Sequence, residues 1–339
     1  MNFTDNLKTI ISGDSLDQEG MSFMVNQILS GEVKDSQIGA FMGSLAARKE
    51  TFEELAGAAM AMRRKSARIQ TLSHRVIDTC GTGGDVSGSF NISTATAIVV
   101  AGAGITVAKH GNRSITSQCG SADVLEALGV KIDTDPEIVE EAVNEIGLGF
   151  LFAPLFHSAM RFAAKARKEV GIKSIFNMVG PLTNPAHAKY QLLGVYDAKL
   201  TQMFAQTLKS LGAKRAWVVH GHDGMDEITL CEKTRVSELN NDLIRTFDLD
   251  PEDYFDGSAD PEDLKGGGKK ENARIIKSIL QGEKGAKRDI VLMNAGAAIM
   301  IAGKADSLAH GIEKAKISID SKKALQKLNQ LIEYTNQEG

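Results

Sequence analysis

The 339-residue chain has little cysteine, few aromatics, no excess of basic charge and no long apolar run. Its three cysteines, Cys80, Cys119 and Cys231, stand far apart and form no CxxC pair. That spacing argues against structural zinc and for a reducing compartment. Lysine and arginine total 39 against 43 aspartates and glutamates, a net charge of −4. The chain therefore carries no electrostatic footprint for nucleic acid. Aromatics are 5% of the residues, too few for a base-stacking surface. The longest uncharged stretches, such as ATAIVVAGAGITVA from Ala95 to Ala108, are too short and too rich in small residues to span a bilayer. The opening MNFTDNLKTIISGD lacks the basic-then-apolar order of a secretory signal. These absences predict a soluble cytoplasmic protein with no nucleic-acid and no membrane partner. The length allows one large or two modest domains.

What is present falls into two textures. The first seventy or so residues read as helices. Ser15 with Gln18 makes a capping-box pattern before MSFMVNQIL, and Thr51 with Glu54 makes another before LAGAAMAMRRK. IGAFMGSLAAR between them has helical spacing of its apolar residues. From about Arg75, short apolar runs alternate with helical ones: RVIDT, TATAIVVAGAG, ITVAK, SADVLEALG, KRAWVVH near residue 217 and DIVLMNAG near 290. The predicted fold class is α/β: a small all-helical domain beside a large α/β domain with a mainly parallel central sheet. The helical domain is expected over 1–72, joined by about 171–188, where Gly-Pro and Asn-Pro pairs mark turns in GIKSIFNMVGPLTNPA. The α/β domain is expected over 73–170 and 189–339. DLDPEDYFDGSADPEDLKGGGKKEN, acidic and then glycine-rich, reads as a long surface loop. No repeat with a period of 20 to 50 residues occurs.

Ligands of open α/β sheets sit beyond the carboxyl ends of the strands, and three such ends carry unusual residues. The first is DTCGTGGDVSGSFNIST, Asp78 to Thr94. It is no P-loop, since it has no lysine, and no dinucleotide fingerprint, since Val86 stands where the third glycine belongs. A generic anion cradle remains. Gly81, Gly83 and Gly84 allow close backbone approach, and Asn91, Ser93 and Thr94 lie where the next helix begins. A tight turn with an ordinary N-cap is the plainer alternative. The second end is VAKHGNRSITSQCGSAD, Val107 to Asp123, with Lys109, His110, Asn112 and Arg113 around Gly111, then Ser114, Thr116, Ser117 and Ser121. Cations with many hydroxyls suit a polyphosphate; a solvated basic loop is the alternative. The third is VVHGHDGMDEITL, where Asp226 and Glu227 are adjacent. Paired carboxylates without cysteine suit Mg²⁺ better than the His220–His222 pair suits zinc. An acidic surface turn is the alternative. Finally, LFAPLFHSAMRFAAKARKEVG, Leu151 to Gly171, reads as a helix bearing Arg161, Lys165, Arg167 and Lys168. One of these, facing inward, would suit an acidic substrate.

Together, GTGGD, FNIST, KHGNRS, GSADVLEALG, GFLFAP, HSAMR, IFNMVGPLTNPA, QLLGVYD, VVHGHDGMDE, ENA and NAGAA, in that order, resemble anthranilate phosphoribosyltransferases over nearly the whole chain. The resemblance implies the nucleoside phosphorylase/phosphoribosyltransferase type of fold. It also implies transfer of the phosphoribosyl group of phosphoribosyl pyrophosphate (PRPP) to the amine of anthranilate, in tryptophan biosynthesis, by a homodimer using Mg²⁺. It implies PRPP contacts from Gly81, Gly84, Asp85, Ser89, Asn91, Ile92, Ser93, Thr94, Lys109, His110, Gly111, Asn112, Arg113, Ser114, Ser117 and Ser121. Anthranilate contacts would come from Gly81, Asn112 and Arg167, with Arg167 on the carboxylate, and metal contacts from Ser93, Asp226 and Glu227. No nucleophile–base pair is implied; Lys109 and the metal would stabilise the transition state. Two positions depart from the family pattern: Val86 replaces a glycine, and Ser158 stands where proline is usual. The nearest rival is a pyrimidine nucleoside phosphorylase-like enzyme. A homologue using another amine, or one retooled to bind nucleic acid, are more distant readings.

Overall fold

The computed structural model describes residues 2–85, 87–114 and 118–337. Four helices come first: α1 (Phe3–Ile11), α2 (Gln18–Leu29), α3 (Asp35–Arg48) and α4 (Phe52–Lys65). The Thr51–Glu54 capping box forms as its residues dictate. The expected box at Ser15 does not. Asp17 caps α2 instead, accepting the Gly20 N–H at 2.7 Å, because its short carboxylate sits directly at the helix entry. Ser15 accepts from Arg48 at 2.9 Å.

The remaining elements are β1 (Val76–Gly81), α5 (Ile92–Gly102), β2 (Thr106–Gly111), α6 (Ser121–Leu128), α7 (Pro136–Glu145), β3 (Leu148–Phe152), α8 (Ala153–Phe156), α9 (Arg161–Val170), α10 (Ile175–Met178), β4 (Tyr190–Gly194), α11 (Leu200–Ser210), β5 (Arg215–Gly221), β6 (Thr234–Asn240), β7 (Leu243–Leu249), α12 (Lys269–Leu280), α13 (Ala286–Ile301), α14 (Leu308–Asp320) and α15 (Lys323–Asn336). The strands form one sheet in the order β3-β2-β1-β4-β5-β6-β7. The first five are parallel, and β6 and β7 close the edge as an antiparallel hairpin. The α/β architecture with a mainly parallel sheet and a separate helical bundle is as the alternating sequence texture predicts.

Two local expectations fail for identifiable reasons. DIVLMNAG is part of α13, not a strand. A helix packed on all sides is apolar all round, so its period is invisible in a short run. The Leu151–Gly171 stretch is not one helix: Leu151 and Phe152 end β3, and Pro154 opens the single turn of α8. A further short turn precedes α9.

Side chains alternate along the strands and feed two large cores and a smaller cluster around Val76, Ala108 and Leu151. Leu192, Trp217 and Val219 face a core shared with α5, α6 and α12 to α15. Leu193, Ala216 and Val218 face a second core with α11, the bundle α1 to α4, and Ile175 to Leu182 of the α10 segment. The helical bundle is therefore packed against the sheet through one continuous apolar interior.

Candidate active site at the switch point of the sheet

Strand β1 lies at the centre of the five parallel strands, where connectivity reverses. From β1 the chain passes through α5 to β2 on one side, and β4 lies on the other. After β1 the chain turns into α5, in the first core; after β4 it turns into α11, in the second. A crevice follows at the carboxyl ends of β1 and β4, the usual place for a ligand in such a sheet. Gly81 and Gly194 are register partners at that edge. The acidic pair after β5 folds back over both. A Cβ on Gly81 would stand 2.6 Å from Asp226 Oδ2, and one on Gly194 would overlap the Asp226 carbonyl oxygen. Only glycine permits the backbone approach at Gly194, and a side chain at Gly81 would displace the Asp226 carboxylate. The Gly83 backbone N–H donates to Asp226 Oδ2 at 3.1 Å. The first and third sequence-predicted strand ends thus meet in one place.

A buried Asn fixes the acidic segment from behind. Asn294, in the middle of α13, accepts the Ile228 N–H at 3.0 Å and donates to the Ile228 carbonyl at 2.8 Å. Asp226 and Glu227 are therefore held close to a rigid backbone clamp. Both carboxyls are pushed up, first by burial. For Asp226 the next cause is Asp85, and for Glu227 it is Asp226. Lys109 and the Ser93 N–H, at the start of α5, favour ionised Glu227 in return.

Lys109 arrives from the second strand end and is almost fully buried, at 3% exposure. Its Nζ donates to the Thr79 carbonyl and to Ser93 Oγ, the latter at 3.2 Å. Burial pulls its pKa down, and Asp78 pushes it back up more than any other neighbour. Asp78 is itself buried, its pKa raised to about 6 by burial against the opposing pull of Lys109 and Asn184. Its Oδ1 accepts the His110 N–H at 3.2 Å, and its Oδ2 accepts Asn184 Nδ2 at 2.8 Å.

The other sequence-predicted residues distribute around this centre. Ser93 and Thr94 occupy the first turn of α5, while the Ile92 side chain is in the core. Asn91, the N-cap, is engaged laterally: its Nδ2 donates to the Cys119 carbonyl at 3.0 Å and its Oδ1 accepts from Asn272 at 2.9 Å. Asp85 accepts from Ser87 Oγ, and Ser89 Oγ lies 3.2 Å from Ser87 Oγ. The loop before α12 is not the free surface loop that its composition suggests. Gly266 N–H donates to the Gly88 carbonyl at 3.0 Å and Leu264 is buried, so its end braces Gly88 to Phe90.

The basic loop after β2 is less cationic towards the crevice than the sequence predicts. The His110 ring is buried 5.1 Å from that of His157, and burial followed by that neighbour pushes its pKa well down, so the ring is neutral. Arg113 pairs with Asp123 at 2.9 Å and Glu126 at 3.0 Å on α6. Gly111 ends β2, Asn112 is exposed, Ser114 donates its backbone N–H to Asp123, and Ser121 opens α6. Ser117, with Thr116, lies outside the described residues, as does Val86.

Arg167 is half-buried on α9, with its guanidinium carbon 5.7 Å from the centre of the Phe176 ring. Burial alone lowers its pKa; no carboxylate contributes. A cation in that state favours an anionic ligand. Lys173, which sequence reasoning passed over, reaches back from the same segment. Its Nζ lies 3.4 Å from the Gly84 carbonyl and 4.6 Å from the centre of the Tyr196 ring.

Among the described residues, no three His, Cys, Asp or Glu side chains converge well enough to hold a metal alone. The oxygen donors that do gather, from Asp226 and Glu227 with Ser93 nearby, suit a hard cation completed by ligand oxygens and water. Asp78, Asn184 and Asn294 also escaped the sequence reading. A carboxylate inside an apolar strand, and an amide inside an apolar helix, were the available signals.

The glycosyl transferase family helical bundle domain matches residues 4–66, and the glycosyl transferase family a/b domain matches residues 73–325. The chain is 60% identical over 333 residues to an anthranilate phosphoribosyltransferase of Syntrophobacter fumaroxidans, covering 98% of this chain and 99% of that protein. The crystal structure of the Thermus thermophilus anthranilate phosphoribosyltransferase superposes with a TM-score of 0.93 at 40% identity, covering 98% of this chain and 100% of that one. The Saccharomyces cerevisiae enzyme in complex with PRPP and Mg superposes with a TM-score of 0.88 at 29% identity, covering 98% of this chain and 97% of that one. Fold, crevice and full-length similarity agree: this chain belongs to the anthranilate phosphoribosyltransferase family.

Proposed function

We infer that this protein transfers the phosphoribosyl group of PRPP to the amine of anthranilate, releasing N-(5-phosphoribosyl)anthranilate and pyrophosphate. The carrying observation is the acidic pair folded onto a glycine-floored crevice at the switch point, with Lys109 buried beneath. In this reading the Gly81–Ser89 loop and the first turn of α5 hold the donor, and Asn112 to Ser114, with Ser117 and Ser121, approach it from the other side. Domains over 1–72 with 171–188, and over 73–170 with 189–339, would flank it. A cytoplasmic homodimer completes the reading, and sedimentation of the purified protein tests the dimer.

The chemistry follows from the residues. The amine lone pair attacks C1 as the bond from C1 to the pyrophosphate oxygen breaks. Negative charge grows on the leaving group and positive character on the ribose. Backbone N–H groups of the glycine loop and the α5 terminus would stabilise that negative charge. Lys109 contributes its field from below, with two of its three N–H donors on Thr79 and Ser93. The aromatic amine is uncharged at neutral pH, so no strong base is required, and orientation carries much of the rate. Arg167 supplies a guanidinium of the right kind for the anthranilate carboxylate. Ser93, Asp226 and Glu227 would hold Mg²⁺, whose presence neutralises charge on the pyrophosphate. The crowding of two carboxylates with Asp85 fits a divalent cation.

Anthranilate fluorescence should fall only when both PRPP and Mg²⁺ are present, with pyrophosphate released in step. No fall in folded protein would sink the assignment and favour a nucleoside phosphorylase. Arg167→Ala should raise the KM for anthranilate on the order of tenfold or more while the KM for PRPP moves little. Equal loss for both substrates would remove Arg167 from the acceptor site.

A further inference from the structure

The loop after β2 is closed at its neck by a residue to which the reading above gives no role. Asp123 sits in the first turn of α6. Its Oδ2 accepts the backbone N–H of Ser114 at 3.1 Å and that of Gly120 at 2.9 Å. Its Oδ1 accepts from Arg113 Nη1 at 2.9 Å. One carboxylate thus binds both the outgoing and the returning arm of the loop. The two arms touch: a Cβ on Gly120 would overlap the Ser114 nitrogen and the Arg113 carbonyl carbon. The Asn112 carbonyl adds to the closure, accepting the Ala122 N–H at 3.2 Å and Ser121 Oγ at 3.3 Å.

A helix cap would explain only part of this. A capping box needs the contact from Asp123 back to the Gly120 N–H. It does not need a second N–H from nine residues upstream, or a guanidinium on the other oxygen. Burial pushes the Asp123 carboxyl up, but Ser114, Gly120 and Arg113 more than offset it, so the group stays ionised.

We propose that Asp123 is a positioning residue for the phosphoribosyl donor, its carboxylate tying Arg113 and Ser114 to Gly120 and thereby setting the backbone on which Asn112 and Ser121 stand. The inference rests on the donor assignment given above. Asp123 itself faces the loop's own backbone and Arg113, so it acts through the loop and not on the substrate.

Asp123→Asn tests this. Asparagine keeps the size and one acceptor oxygen but makes the acceptor neutral and turns an amide NH₂ towards Arg113. The KM for PRPP should rise on the order of tenfold, the scale of a charged hydrogen bond. The KM for anthranilate should stay within about twofold and the thermal midpoint within about 2 °C. Glu126→Gln removes the other carboxylate on Arg113 but leaves both neck contacts, so its donor KM should stay within about twofold of the parent. An unchanged donor KM in Asp123→Asn, an equal rise in both KM values, or the same effect from Glu126→Gln would each overturn the proposal. Amide hydrogen exchange on the unaltered protein gives an independent check. The Ser114 and Gly120 amides should be protected, and exchange at free-peptide rates would overturn the neck. If the unaltered protein turns over no anthranilate, the functional reading fails, and the exchange result still decides whether the neck is closed.

Discussion

At the scale of single residues, the site is surrounded by buried ionisable groups whose protonation opposes one another. His157 is pushed down to about 4 by burial, from an ordinary value of 6.5. The folded protein therefore keeps it neutral where the unfolded chain binds a proton. Its contribution to stability is full above pH 6.5 and is lost as pH falls towards 4. A displacement of this size is worth about 3 kcal/mol. Asp78 runs the other way. Its pKa of about 6 means that the folded state takes up a proton before the unfolded chain does, so its ionic burden is relieved below pH 6. Replacing His157 by Asn isolates the histidine's share: the gap in unfolding free energy between about pH 7 and about pH 4.5 should shrink by about 2 kcal/mol. Urea unfolding at the two pH values measures it, and an unchanged gap would mean that His157 is not held neutral in the fold.

At the scale of elements, the helical bundle depends on one buried carboxylate. Glu54 has no exposure, yet it makes three contacts. Oε1 accepts the Leu16 N–H at 3.0 Å and the Arg48 guanidinium, and Oε2 accepts the Thr51 N–H at 2.9 Å. It therefore joins the approach to α2, the end of α3 and the cap of α4. Glu54→Ala would strand Arg48 and two backbone donors, and should destabilise the protein by about 3 kcal/mol, seen as a lower thermal midpoint. KM values should hold in the fraction that remains folded, because the bundle and not the crevice is touched. The Thr51–Glu54 pair also shows what was legible in the sequence. Caps, glycine turns and strand-end residues are local, and their meaning survives without the fold. The glycine loop, the lysine near the end of β2 and the acidic pair were all readable in this way. Longer-range facts were not. Nothing local distinguishes DIVLMNAG in a packed helix from a strand, and β4 and the β6–β7 hairpin are set by pairing across the sheet. Arg113 and His110 read as cations for a ligand, but α6 and His157 had prior claim on them. Asn294 acts on a backbone group 66 residues away in the chain, so no motif could assign its partner.

At the scale of the whole molecule, the crevice is a place where folding and function pull in opposite directions. Sheet, α13 and glycine loop together hold Asp226 and Glu227 in an environment that disfavours their charges, since burial and negative neighbours raise both carboxyls. For an acid with a raised folded pKa, stability declines as pH rises from the ordinary carboxylate range through the folded value. At neutral pH and above, the ionised pair is therefore a burden on the ligand-free fold. Sites assembled for binding commonly carry strain of this kind. The double variant Asp226→Asn with Glu227→Gln keeps shape and removes charge. Without divalent cation at about pH 8, its thermal midpoint should rise by about 2 °C or more above that of the parent. Turnover dependent on Mg²⁺ should be lost. Mg²⁺ with PRPP should raise the midpoint of the parent by mass action and leave the variant's nearly unmoved. Calorimetric scans of both proteins, with and without the ligands, separate the possibilities. A variant less stable than the parent in the absence of ligand would show that the pair supports the fold. A variant that still gains stability from Mg²⁺ and PRPP would place the cation elsewhere in the crevice.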